Sequence, residues 1–165
     1  MKGEYVLFIR IVLAHVMISY IANRIPYRHL EKMRKHLQVG EAEMRFYERV
    51  CCIRKWKDHI PTAGPFDKRR LKSNSIDYFS LFILETVRAE IAHALCIIAA
   101  MAILVSSPIP MSHTMALFFL MINIPCIMIQ RYNRPRLERI LIRKEGNITS
   151  SEYEIRGIRL HMKED

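Results

Sequence analysis

Residues 110–137 read PMSHTMALFFLMINIPCIMIQRYNRPRL, and this stretch decides the fold class. From Pro110 to Gln130 there is no Lys, Arg, Asp or Glu, a length that matches the roughly 20 apolar residues a helix needs to cross a bilayer. The run ends abruptly in Arg131, Arg134 and Arg136, set around Tyr132, Asn133 and Pro135. Forked cationic donors are therefore concentrated where the chain leaves the membrane.

Two more apolar blocks lie upstream. Tyr5 to Ala22 is interrupted only by Arg10, near one end, where a long side chain reaches the interface. Ile91 to Ser107 carries no formal charge and extends a helix expected to begin near Ile76, with Asn74 or Ser75 as N-cap. The prolines of Ser107-Pro108-Ile109-Pro110-Met111-Ser112 end one helix and start the next, a tight reversal. Hydrophobic residues make up 51% of the 165 and charged residues 25%, and the two are segregated into blocks. The expectation is an all-α membrane protein forming one integral domain over 1–165, with spans near 5–22, 91–107 and 110–130. Lys2 ahead of an apolar run imitates a signal peptide, but Arg10 interrupts the run and Ala22-Asn23-Arg24 lacks a small-x-small cleavage pattern. A retained helix is expected.

Charge sets the orientation. Between Arg24 and Lys72 there are 14 Lys and Arg against 6 acids, and from Arg131 onward 9 against 6. The positive-inside rule places the polar segments 24–75 and 131–165 in the cytoplasm, with the Pro108 to His113 turn and the N-terminus outside a cell membrane crossed three times. The net charge of +10 then needs no nucleic acid, because the basic residues border membrane helices and no nucleic-acid-binding motif accompanies them. Anionic membrane lipids or a phosphorylated substrate are the matching partners. Cys51, Cys52, Cys96 and Cys126 have neither disulfide nor zinc spacing and read as reduced thiols.

Within 24–75, Arg24-Ile25-Pro26 stops the first helix and His29 to Gln38 reads as a short surface helix. Glu41 to Lys57 reads as one amphipathic helix with Met44, Tyr47, Val50, Cys51 and Trp56 on or near one face. Interfacial helices bury such faces among headgroups, and Trp56 between Arg54, Lys55 and Lys57 suits an aromatic anchor. Gly64, Pro65 and Lys68-Arg69-Arg70 mark Pro61 to Asn74 as a loop.

A second constellation, Glu85-Thr-Val-Arg88-Ala-Glu90-Ile-Ala-His93, falls where the second long helix enters the membrane. On a helical wheel His93 lies about 80° from Glu85 and about 60° from Glu90, a carboxylate on either side. A histidine so flanked can hold one tautomer and act as a general base. Mutual pairing of these ions at the headgroup level is the plainer reading. Glu90-x-x-His93 is also half of a helical di-metal pattern, but the second half is absent, so no metal is expected. Farther along, Pro125 should kink the third span, and Asn123 can hydrogen-bond to a neighbouring helix or a ligand. Leu137 to Lys144 reads as another interfacial helix with Pro135 in its first turn, which sets the three arginines near an anion-favouring N-terminus. Headgroup anchoring explains the same arginines and would accept Lys equally well.

Arg24-Ile25-Pro26, Arg54-Lys55-Trp56-Lys57, Glu85 with Arg88-Ala89-Glu90 and His93, and Asn123-x-Pro125 leading into Gln130 to Leu137 stand in an order that resembles the glycosyl-4,4'-diaponeurosporenoate acyltransferase family of bacterial carotenoid biosynthesis. The resemblance covers roughly 20–140, and its last motif is eight consecutive residues. It implies a membrane enzyme of a staphyloxanthin-type pathway that transfers a fatty acyl group to the glucose primary hydroxyl of a glycosylated C30 carotenoic acid. Its partners would be that glycosylated acceptor and an acyl-CoA or acyl carrier protein donor, with no cofactor. On matching motifs, local chemistry makes His93 the general base, Glu90 or Glu85 its orienter and Asn133 an oxyanion donor. Arg131, Arg134 and Arg136 are expected on the carrier phosphates, with Arg88, Asn123, Gln130, Arg54, Lys55, Trp56 and Lys57 as further substrate contacts. A non-catalytic membrane scaffold, or a nicotinamide-dependent membrane reductase lacking a Gly-rich fingerprint, are the alternatives.

Overall fold

The computed structural model describes residues 2–61, 71–106 and 112–161, with side chains for all of these but Lys2, Ser112, Ala116 and 147–161. Among the described residues there are six helices and no strand: α1 Lys2–Asn23, α2 Tyr27–Arg34, α3 Glu41–Arg49, α4 Ile53–Trp56, α5 Ile76–Val105 and α6 Ser112–His161. Three are long and apolar enough to cross a membrane, over Gly3–Asn23, Ile76–Val105 and His113–Gly146. The reversal expected at 107–111, and Gly64, Pro65 and the Lys68-Arg69-Arg70 run, lie outside the described residues.

α1 is apolar all round. Leu7, Ile11 and Ala22 are buried in protein while Tyr5, Phe8, Leu13, Val16 and Met17 are exposed, as a helix with lipid on most of its surface requires. Leu7 and Ile11 cluster with Ala100 and Leu104 of α5 and Phe119 of α6. At the other end of α5, Phe79, Phe82 and Ile83 meet Leu137 of α6. The two long helices are therefore antiparallel, and the segment after α1 lies on the same side as the far end of α6.

α1 stops because Pro26 cannot continue it, and a side chain meets carbonyls at its end. Arg88 of α5 donates from Nη1 to Ala22 O (2.7 Å) and Ile25 O (3.0 Å). α5 starts where expected, the Ser75 hydroxyl accepting from Tyr78 N–H at 3.2 Å, and ends at Val105. α2 covers Tyr27–Arg34 and buries Leu30 completely against the bundle.

Two expectations are corrected. The helix expected over Glu41–Lys57 is broken: α3 ends at Arg49 and α4 starts at Ile53, with Cys52 between them at φ 48°. That left-handed residue, strained by roughly 1–2 kcal/mol outside glycine, turns Ile53 inward. Ile53 joins Met44, Tyr47, Ile129 and Tyr132 in one cluster, with Trp56 packed against it and its Nε1–H on Cys51 O at 2.8 Å. The apolar face thus meets α6 rather than headgroups, and Val50, assigned to that face, is exposed. Secondly, no new helix begins around Pro135. α6 is continuous through Pro125 and Pro135, so the three arginines do not stand at a helix N-terminus. Buried contacts on both sides of Pro135, Arg134 and Leu137, hold the helical path that the residue before a proline locally disfavours.

Candidate functional site

A cavity of about 380 Å³ opens between α1, α5 and α6, bounded at one end by Ile60 and Pro61. It is built by two stripes of helical spacing: Phe82, Glu85, Ala89, Ala92, His93 and Cys96 from α5, and Ile122, Asn123, Cys126, Ile129, Gln130 and Asn133 from α6. Ala89 and Ala92 provide the room. Its size falls in the range of small-molecule sites, and its lining is apolar with a few polar groups.

Of the residues singled out from sequence, His93, Asn123, Gln130, Asn133, Glu85 and Arg88 line this cavity. His93 Nδ1 lies 2.9 Å from Asn123 Oδ1. Neither carboxylate is its partner, which corrects the expectation that Glu85 or Glu90 orients the ring. Glu85 accepts from Arg88 Nε at 3.1 and 3.2 Å, and Arg88 is spent on that pair and on the end of α1. Arg88 also stacks over Tyr27 with 5.2 Å to the ring centroid, so its role here is to join helices. Asn123 bonds across to both neighbouring helices, as its place in an apolar helix suggested: beyond His93, its Nδ2 reaches His15 Nε2 at 3.1 Å and Phe119 O at 2.8 Å.

Glu90 faces away from the cavity into an ionic cluster. Arg131 grips Glu43 with Nε and Nη2 (2.5 and 2.8 Å) and Glu90 with Nη1 (2.6 Å). Arg134, 1% exposed, donates to Glu90, to Thr86 Oγ1 (3.0 Å), to Thr86 O (3.3 Å) and to Leu37 O (2.7 Å). Every nitrogen of both guanidiniums makes at least one of these bonds, so both arginines are held in the protein's own network, Arg134 almost wholly out of solvent. Glu90 and His93 do not converge on one point either, and among the described residues no three His, Cys, Asp or Glu gather to hold a metal. Outside the spans, the hydrogen bond from Arg131 holds the Glu43 carboxyl below the usual range against the opposing cost of burial. Burial first, and the 2.5 Å bond to Glu43 next, push the Tyr47 phenol up to about 12.

Arg136 is the exposed member of the arginine motif. Its Nη1 lies 3.3 Å from the Tyr132 hydroxyl, and its guanidinium stacks on that ring at 5.1 Å. Arg54, also exposed, donates from Nε to the same hydroxyl at 3.0 Å and from Nη2 to Glu48 at 2.6 Å. The Tyr132 hydroxyl and Glu48 together raise the Arg54 pKa, while Arg54 holds Glu48 below the usual carboxylate range. Two exposed guanidiniums are therefore pinned to one buried phenol. Lys55 is exposed beside them, Lys57 pairs with Asp58 at 2.7 Å, and Trp56 belongs to the packed cluster. The sequence reading passed over His15 and Ser19, which also line the cavity. The available signal for His15 was an ionisable ring inside an apolar helix, which costs too much to be incidental.

A model of the family described as glycosyl-4,4'-diaponeurosporenoate acyltransferase matches residues 26–143. A protein of that description from Staphylococcus haemolyticus (strain JCSC1435) is 32% identical over 128 residues, covering 73% of this chain and 74% of its own. Another, from Staphylococcus aureus (strain MRSA252), is 29% identical over 139 residues, covering 79% and 82%. No solved structure matches.

Proposed function

The chain belongs to the glycosyl-4,4'-diaponeurosporenoate acyltransferase family, and from that premise we propose that it esterifies a fatty acyl group onto the glucose primary hydroxyl of a glycosylated C30 carotenoic acid, the last step of a staphyloxanthin-type pathway. The observation that carries the reading is His93, held at Nδ1 by an amide inside a cavity between membrane helices. An acceptor with a lipid-soluble body and a sugar head would bring its hydroxyl to such a place.

His93 takes the hydroxyl proton on Nε2 as the sugar oxygen attacks the thioester carbonyl. The new C–O bond forms, the C–S bond breaks, and His93 returns the proton to the departing thiolate. Asn133 and Gln130, amides on the cavity wall, supply donors to the carbonyl oxygen as its charge grows. Asn123 takes the orienting role. Arg136 and Arg54, with Lys55 beside them, receive the phosphates of the acyl carrier, a role that forked guanidiniums suit and for which these two are exposed while Arg131 and Arg134 are held by internal carboxylates. The positive-inside excess puts this surface in the cytoplasm, where activated acyl donors are made.

The test is ester formation by membranes given the glycosylated precursor and an acyl donor, read by mass. His93→Ala is expected to lower turnover by ~10² to 10⁴ without loss of inserted protein. Near-normal turnover by the inserted variant removes His93 from the chemistry and leaves a scaffold role.

A further inference from the structure

We infer that His15 and Asn123 are positioning residues that together fix the tautomer of His93, with the proton on Nδ1 and the lone pair on Nε2. The catalytic consequence rests on the acyl-transfer reading above, whereas the geometry stands without it.

The argument starts at an atom with only one possible role. Ile11 O can only accept, and His15 Nδ1 lies 2.9 Å from it, so that nitrogen carries a hydrogen. In the neutral ring Nε2 is then an acceptor, and it faces Asn123 Nδ2 at 3.1 Å. The second hydrogen of the same amide goes to Phe119 O at 2.8 Å. Two acceptors thus claim the NH₂ group and turn the carbonyl of Asn123 to His93. Since Oδ1 can only accept, the His93 nitrogen 2.9 Å away must donate. His93 therefore keeps an unprotonated Nε2, which has no partner among the described residues.

The opposite arrangement is self-defeating. A flipped amide would lose the Phe119 carbonyl, point N–H at His93 Nδ1 and move the His93 proton to Nε2, the nitrogen needed as base. Asn123 is 1% exposed, so water cannot repair such a mismatch. The His15 ring is itself held against Phe119, with 4.9 Å between centroids. One polar group from each of α1, α6 and α5 makes the chain of contacts, and α1 lies outside the region that matches the family.

The experiment reads the tautomer directly, from the imidazole nitrogen spectrum of the full-length protein labelled with ¹⁵N-histidine in lipid nanodiscs, with His93→Ala assigning the signals. The expected wild-type spectrum has both His15 and His93 protonated at Nδ1 and bare at Nε2. In Asn123→Leu the His93 signals should split between tautomers. In His15→Leu, where the amide has one acceptor instead of two, they should split partly, and His15→Gln, whose carbonyl can accept from Asn123, should recover the single tautomer. Turnover should follow the spectrum: His15→Leu lowers kcat about tenfold, part of the ~10² to 10⁴ a general base supplies, with both KM values held. A role in packing alone predicts that Leu serves as well as Gln. A wild-type His93 protonated on Nε2, or a His93 spectrum unchanged in His15→Leu, overturns the inference. If instead the spectra behave as expected while His93→Ala still turns over, the positioning pair stands and it is the acyl-transfer mechanism that fails.

Discussion

Glu90 is the residue whose loss should cost the most stability, more than either arginine it serves. It is 7% exposed at the side chain and bridges Arg131 and Arg134. In Glu90→Leu, Arg131 keeps its two-pronged hold on Glu43, but Arg134, 1% exposed, retains only the neutral oxygens of Thr86 and Leu37. A buried cation stripped of its carboxylate costs about 3–5 kcal/mol. Arg134→Leu removes the cation itself and leaves Glu90 paired with Arg131. What remains is chiefly the orphaned Leu37 carbonyl, about 1–3 kcal/mol. The double variant holds no uncompensated charge and should be more stable than Glu90→Leu alone by at least ~1 kcal/mol, a coupling of the size seen for groups in one network. Trp56 is the single tryptophan and packs on the α3–α6 cluster, so its fluorescence follows undocking directly. Unfolding by SDS titration in mixed micelles would rank the three variants. Equal stability of Glu90→Leu and Arg134→Leu, or simple additivity in the double, would refute the claim that this network is closed around Glu90.

Arg136→Lys and Arg54→Lys keep their charge but lose the fork, and should raise the KM for the acyl donor while leaving that for the glycosylated acceptor unchanged; equal effects on both would move the phosphate site elsewhere. Because Glu43 has a depressed pKa, its contribution to stability is complete above the unfolded value near 4.3 and is lost as pH falls through the lower folded value. Glu43→Gln should therefore flatten the acid limb of the unfolding midpoint as pH falls below the ordinary carboxylate range. Tyr47 has the opposite sign: its raised pKa keeps its contribution intact through about pH 10 and releases it towards about 12, a limb that Tyr47→Phe should erase. In a background without the natural cysteines, Ser112→Cys should be labelled by an impermeant reagent in intact cells and Arg70→Cys spared; the reverse pattern would invert the topology.

The long helices were legible because membrane spans announce themselves by composition, and Ser75 marked the start of α5 through its capping chemistry. The break at Cys52 was not, since it depends on Ile53 finding Tyr132, 79 positions away in the chain, and local periodicity carries no such information. Pro135 misled for the same reason, a local rule overridden by the burial of Arg134 and Leu137. At the site, helical spacing put His93 on the stripe of α5 that lines the cavity. It chose the wrong partner, because a wheel of one helix ranks neighbours on that helix, whereas the Asn123 bond crosses from α6, Glu90 is claimed by two arginines of α6, and Glu85 is taken by Arg88.

The unbroken run of α6 has a consequence for selectivity. A helix does not stretch, so Asn123, beside the His93 ring, and Arg136, at the charged surface, are held thirteen positions and ~20 Å apart along one rod. The arm of a pantetheine thioester, about as many bonds as five extended residues, spans ~17 Å between its phosphate and its sulfur. Such a donor reaches both ends at once. Under the proposed acyl transfer, a short thioester without the arm would occupy only the inner end and a free nucleotide only the outer one, and α6 would act as a gauge that admits donors by length.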